Sequence, residues 1–258
     1  MDDYLSFVII GVFLAAGIIK GISGMGLPTI AMALLSFLIL PAHAAMLMVI
    51  PSLLTNITQC LGKYWRLLLK DHWIMWSAMF LLIIFSPYSN LNVADGPARL
   101  FLGLVLIMYG FWGLFKPALP NTEKNKALVG CVVGFLTGTV TAATGVIVLP
   151  IVPYLQSLKS SKDAFIQSLG ISFTIATIAL IIRLGISNTQ DWTLYTKEIF
   201  VAVIAAFIGM WIGTKFRSQL NPIQFQRFLY AVFIFLGLIM TAKFLYSSSV
   251  SEDFYPRR

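Results

Sequence analysis

A lysine stands where a membrane helix has little use for one. Lys20 lies in the apolar run Tyr4 to Ile22, at the edge of a glycine cluster: Gly17-Ile-Ile-Lys20-Gly21-Ile-Ser23-Gly24-Met-Gly26-Leu-Pro28-Thr29. An ammonium in such surroundings is costly unless water or a partner serves it, which makes Lys20 a candidate anion ligand. The competing reading is a side chain that snorkels from a helix end to the interface. Glycine permits a turn in the run, and Pro28 suits the first turn of a new helix. Backbone groups freed by such a break find no partner in hydrocarbon, so the break must be buried in protein or line a watery cavity. Helix N-termini around a cavity attract anions, so Lys20, Gly21, Ser23, Gly24, Gly26, Pro28 and Thr29 form a first set of candidate substrate-binding residues.

A second break has a different chemistry. Gly134-Phe-Leu-Thr137-Gly138-Thr139-Val-Thr141-Ala-Ala-Thr144-Gly145-Val-Ile-Val-Leu-Pro150 is rich in hydroxyls where the first is rich in glycine. It adds Thr144, Gly145 and Pro150 to the candidates; the bland alternative for both breaks is close packing of small residues between helices. Polar residues also gather on the long run after each break: Thr55, Asn56, Thr58 and Gln59, then Gln167, Ser168, Ser172 and Thr174. Gln167 and Thr174 are about two turns apart and share a face. Thr55, Asn56, Gln59, Gln167, Ser168 and Ser172 could hold an oxyanion with neutral donors, or join helices at about half a kcal/mol each. One arrangement places the two breaks face to face near midplane, with Lys20, Thr29, Thr144 and Ser172 around a single anion.

These residues need a membrane scaffold to position them. Of 258 residues, 59% are hydrophobic and only 11% charged, less than half the charge a soluble domain needs to cover its surface. Apolar runs extend over Tyr4 to Ile22, Leu27 to Leu40, Ala42 to Leu61, Trp73 to Phe85 and Leu100 to Phe115. Five more follow: Ala127 to Thr141, Val146 to Leu158, Ala164 to Ile182, Ile199 to Thr214 and Phe228 to Leu245. Three of them, Leu27 to Leu40, Trp73 to Phe85 and Val146 to Leu158, are too short for a straight crossing, which takes about 20 residues. The start Met1-Asp2-Asp3-Tyr4 lacks the basic region of a signal peptide, so the first run reads as a retained helix. Cys60 and Cys131 have no paired spacing and no histidines beside them, so neither a disulfide nor a metal site nor any other cofactor is expected.

The runs fall into two related sets. Gly17 and Gly21 recur as Gly134 and Gly138, Pro28 as Pro150, Ala45 as Ala164, Thr55 as Thr174 and Trp73 as Trp192, in order and at a nearly constant offset. The expected fold is therefore an all-α polytopic membrane protein of two repeats, 1–116 and 127–258, joined by a polar linker at 117–126. Each repeat has about five hydrophobic segments, eight to ten in total, with broken or re-entrant helices at the glycine-rich hinges. Loop charges orient it: Lys63, Arg66 and Lys70; Lys116, Lys124 and Lys126; Lys159 and Lys162; Lys215, Arg217 and Arg227 share one side if every run crosses or half-crosses. That side is cytoplasmic by the positive-inside rule, and the repeats are inverted. If the two short runs at the breaks do not cross, eight spans remain and the last basic loop falls outside. The net charge of +8 is accounted for by these loops, with no call for nucleic acid.

The twice-used pattern, Gly17-x-x-x-Gly21-x-x-Gly24-x-Gly26-x-Pro28 and its counterpart, resembles the TauE/SafE sulfite exporter family over nearly the whole chain, including Arg99 and Arg227 at the openings of the last run of each half. The resemblance implies a multi-pass carrier of the bacterial inner membrane for small sulfur-containing or other organic anions such as sulfite or sulfoacetate. It also implies alternating access and coupling to an ion gradient, proton or sodium. A homo-oligomer is compatible with it. The chain departs from the family pattern at Lys20, at Thr144-Gly145, and in a short fourth run ending Ser86-Pro87-Tyr88-Ser89-Asn90.

Two other functions compete. Two glycine breaks could form an anion channel's filter. Gly21-Ile22-Ser23-Gly24 also spells the nucleophile motif of a rhomboid-like intramembrane protease, which needs a histidine within reach of Ser23, and only His43 and His72 are present. The expectation is no enzyme and no catalytic residue.

Overall fold

The structure is a computed structural model that describes residues 3–87, 97–115, 125–158, 160–186 and 195–254. Among them there are ten helices: α1 (Asp3–Ser23), α2 (Leu27–Leu35), α3 (Pro41–Cys60), α4 (Trp65–Phe85), α5 (Pro97–Phe115), α6 (Lys126–Thr144), α7 (Ile151–Ser157), α8 (Lys162–Ile186), α9 (Thr196–Phe216) and α10 (Pro222–Phe254). The protein is an all-α polytopic membrane protein. Eight helices are long and apolar enough to cross a bilayer, and α2 and α7 are the two that are not. Large apolar side chains cover the outside, Phe7, Leu128, Phe135, Trp211 and Phe235 among them, as lipid contact requires.

The fourth span differs from its sequence reading. Trp73 to Phe85 is only the second part of α4, which begins at Trp65 and runs for 21 residues. Arg66, Lys70, Asp71 and His72 lie in its first turns and mask them from a count of apolar residues. Only the apolar part needs to face hydrocarbon, and the charged turns reach the interface. Most of the expected linker, with Trp192, Asp191 and the Tyr88-Ser89-Asn90 segment, lies outside the described residues.

Why α1 stops is a matter of local chemistry. Gly24, at φ +82°, is left-handed, and its N–H bonds to the Lys20 carbonyl at 2.7 Å, the single-bond glycine cap of a helix C-terminus. Ser23 Oγ lies 2.7 Å from the carbonyls of both Ile19 and Met25. Gly26, again left-handed at φ +105°, leads into α2 with Pro28 in its first turn. The second break repeats the device: Gly145 at φ +72° bonds Thr141 O at 2.8 Å, and Thr144 Oγ1 donates to Val140 O at 2.7 Å. The hinge register pairs Ser23 with Thr144 and Gly24 with Gly145. Lys20 then answers to Thr141, one helical turn on from the register that pairs Gly17 with Gly134.

Helix directions follow from who meets whom. Gly17 packs on Ala206 and Met210, and Gly21 on Met210 and Thr214, so α1 and α9 run parallel. Gly134 meets Met75 and Gly138 meets Met79 and Leu82, so α4 and α6 do too. Lys20 reaches Thr55 and Asn56 while Gln59 reaches Gly24, which makes α1 and α3 parallel; the chain through α2 therefore returns to the far end of α3. Trp76 meets Ser172 and Arg183 meets Ile83 O, so α4 and α8 are parallel. α3 runs against α8, with Gly62 on Gln167 and Gly170 on Gln59, and α5 runs against α10, with Gly103 on Gly237 and Gly110 on Tyr230 and Ile234.

The most extensive pairings, α1 with α9, α5 with α10, α4 with α6 and α3 with α8, each join a helix before the linker to one after it. The central pair is α3 and α8, whose spans are 67% and 61% buried against 28% for α9 and α10. Nearly all of α2 and the first five residues of α7 are buried as well, which is how their broken backbone escapes lipid. Of the described basic residues, Lys63, Arg66, Lys70, Lys126, Lys215 and Arg217 sit at the end of the bundle where α3 finishes and α4 begins, while Arg99, Arg183 and Lys197 sit at the opposite end.

Candidate functional site

Lys20 is only 2% exposed. Its ammonium donates to Thr55 Oγ1 at 3.0 Å and to Asn56 Oδ1. α3 prepares these acceptors. Thr55 turns its one hydroxyl proton toward Pro51 O, 2.7 Å away, and Ser52 O at 3.1 Å, so only lone pairs face the lysine. Asn56 gives an amide hydrogen to Ser52 Oγ at 3.2 Å, which aims its oxygen at the same point. Pro51 interrupts the hydrogen bonding of α3 one turn earlier, since it has no N–H to donate.

Around this group is a cavity of about 600 Å³ lined by Lys20, Gly21, Gly24, Gln59, Gly62 and Gln167, and also by Lys63, Tyr64, Asp163, Thr214 and Arg217. Gln59 Nε2 donates to Gly24 O at 2.6 Å, tying α3 to the first hinge, while its Oε1 has no hydrogen-bond partner. Gln167 clamps the turn after α3: its Nε2 donates to Cys60 O at 3.0 Å and its Oε1 accepts from Tyr64 N at 3.1 Å. Thr174, two turns along the same face of α8, meets Cys60 Sγ at 3.2 Å. Among the described residues, no carboxylate pairs with Lys20, and the ion pair present is Lys126 with Asp71 at 3.9 Å.

The structure thus gathers Lys20, Gly21, Gly24, Thr55, Asn56, Gln59 and Gln167 at one place. Ser23 and Gly26 shape the hinge beside it. Pro28 and Thr29 are buried in the first turn of α2, Thr29 with its hydroxyl unpartnered. The others lie elsewhere. Gly145 sits against Met32, in the middle of α2, so the second break passes beside α2 rather than standing opposite Gly24. This follows from α1 and α6 running in opposite directions. Thr144 has its proton on Val140 O and accepts from Val146 N at 3.1 Å. Pro150 begins α7. Ser172 donates to Ser168 O at 2.7 Å and accepts from Trp76 Nε1 at 2.8 Å. Lys63, Tyr64, Thr214 and Arg217 were not among the sequence candidates. The signal for the last two was present: Gly209 and Gly213 match Gly17 and Gly21 as small-residue packing partners, and that pairing carries the end of α9 to the hinge.

The family model for the sulfite exporter TauE/SafE matches residues 9–240, spanning both breaks and the Lys20 cavity. The chain belongs to the TauE/SafE family. Neither a curated protein nor a solved structure matches it. TauE/SafE proteins are membrane transporters of sulfite, not enzymes, and the cavity is in keeping with that. Ser23 is engaged by its own backbone, whereas His43 packs on Tyr195 at 5.4 Å and His72 on Trp76 at 5.7 Å between centroids.

Proposed function

We propose that this TauE/SafE protein carries a small sulfur oxyanion or organic sulfonate, sulfite and sulfoacetate being the model substrates, and holds it in the Lys20 cavity. The carrying observation is a buried ammonium whose partners are all neutral. Desolvating a charge without a counter-charge is costly, and an entering anion removes that cost. Lys63 and Arg217 against Asp163 leave the rest of the cavity's lining positive as well. Its volume leaves room for an anion larger than sulfite or for sulfite with its water.

The cavity lies toward the end that carries the loop lysines and arginines Lys63, Arg66, Lys70, Lys126, Lys215 and Arg217, the cytoplasmic end by the positive-inside rule of an inner-membrane protein. Exchanging α1–α5 with α6–α10 interchanges the α1/α9 and α4/α6 pairings and reverses every helix direction. That supports reading 1–116 and 127–258 as inverted repeats around the 117–126 linker, working by alternating access with a proton or sodium ion as coupling ion. The burial of α2 and of the second break favours a carrier over a channel, which needs a continuous wet path.

The test is thermal unfolding of the purified protein with sulfite and with sulfoacetate. A ligand at 100 times its Kd should stabilise by about 2.7 kcal/mol, and Lys20→Met should abolish the shift. Equal shifts in the two proteins would remove Lys20 from the site.

A further inference from the structure

A second cavity, of about 190 Å³, lies between α4, α6, α7 and α8 at the same end of the bundle, lined among others by Asp71, His72, Lys126, Leu158, Ser160 and Ser168. Two of its polar atoms have no hydrogen-bond partner, His72 Nδ1 and Ser168 Oγ, on side chains 5% and 2% exposed. An unpaired polar atom in such a place costs about 1–3 kcal/mol, so two in one small cavity mark a site that something else completes. The charged groups that face His72 are Asp71, beside it on α4, and Lys126 on α6, which pair with each other. On α7, Tyr154 faces Asp71. The lining residues of α8, Ala164, Phe165 and Ser168, carry no charge. Of the lining groups, the imidazole is the one whose ordinary titration range lies nearest neutral pH.

The same residues lead to the anion cavity. His72 stands edge-on to Trp76, Trp76 Nε1 donates to Ser172 Oγ, and Ser172 donates to Ser168 O. The next residue back, Gln167, is the clamp in the wall of the Lys20 cavity. The two cavities therefore share the first turns of α8 as a common wall.

We propose that the second cavity is a proton-binding site with His72 as acceptor, and that its proton is coupled to the anion at Lys20, a coupling that rests on the anion reading of that cavity. A proton from water adds to Nδ1, which turns from acceptor to donor, and Ser168 Oγ lines the same space as an acceptor. Anion and proton attract across the shared wall, so each binds better when the other is present.

The chain has two histidines, so in a His43→Gln background ¹⁵N-histidine NMR of the full chain reads His72 alone. The expected result is one titration between pH 5 and 8.5, with a midpoint that rises by about one unit in saturating methanesulfonate, a tenfold coupling. Methanesulfonate keeps its single charge across that range, so any pH dependence belongs to the protein. Its affinity should be about tenfold tighter at pH 5.5 than at 8.5, and flat in His72→Gln. Should His72→Gln fail to fold, Ser168→Ala keeps the imidazole and should still move its midpoint. A histidine that stays untitrated, an unmoved midpoint in Ser168→Ala, or the same pH profile with and without His72 overturns the proposal. If wild type binds no anion at any pH, the anion reading falls and the coupling with it, and the proton site stands or falls on the titration.

Discussion

At the scale of single residues, hydroxyls and amides of similar type do different work according to which lone pairs are already taken. Thr55 keeps acceptors free for Lys20 because its proton goes to α3's own carbonyls, whereas Thr144 is saturated by Val140 O and Val146 N. Thr144→Val should therefore leave sulfite affinity within about twofold of wild type, while Thr55→Val weakens it about tenfold, the effect of losing one charge-assisted bond. Isothermal titration of both variants checks the contrast, and a larger loss for Thr144→Val would return the second hinge to the binding site. Gln167→Ala strands Cys60 O and Tyr64 N, which should cost about 1–3 kcal/mol of stability in denaturant unfolding. The candidate list from sequence could pick polar types in apolar runs. It could not separate the spent hydroxyl from the available one, because that depends on a carbonyl four residues back and on which helix lies across.

Among the elements, the hinges are the features most readable from sequence, since glycine before a proline-led helix leaves few alternatives. Both hinges need a left-handed residue, yet their surroundings differ. A Cβ at Gly24 would meet nothing within 4 Å, while one at Gly145 would lie 2.9 Å from Met32 Cε. Gly24→Ala should thus lose about 1–2 kcal/mol from backbone strain alone, and Gly145→Ala that strain plus the small cost of shifting the flexible end of Met32, measured as the fall in unfolding midpoint in one detergent. A much larger loss for Gly145→Ala would mean that Met32 is held rigidly in place. α4 is less legible in the sequence, because four polar residues in its first turns break the apolar count that marks a span. α9 carries its sign only in part: Gly209 and Gly213 share the spacing of Gly17 and Gly21, but which helix they pack on is a fact of the packing.

For the whole molecule, sequence repetition suggests two units, but the packing gives neither a core of its own. α1 leans on α9, α4 on α6, α5 on α10 and α3 on α8, so each half supplies the other's missing surface. A chain cut within 117–126 should assemble into an active carrier when both pieces are made together, and either piece alone should be degraded. Active single halves would show that the cross-pairings are dispensable. A repeat is sought in one dimension, whereas interlocking is a property of three, which is why two repeats in a sequence need not be two domains. The α1/α9 pairing also has a consequence in time. During synthesis α1 is complete roughly 170 residues before α9 begins, a delay of about ten to thirty seconds at ribosomal speed. Lys20 meets Thr55 and Asn56 early, but the groove formed by Gly17 and Gly21 stays open until almost the whole chain has been made. The newborn protein must spend that interval with its narrowest helix face turned to lipid or to whatever insertion machinery shelters it.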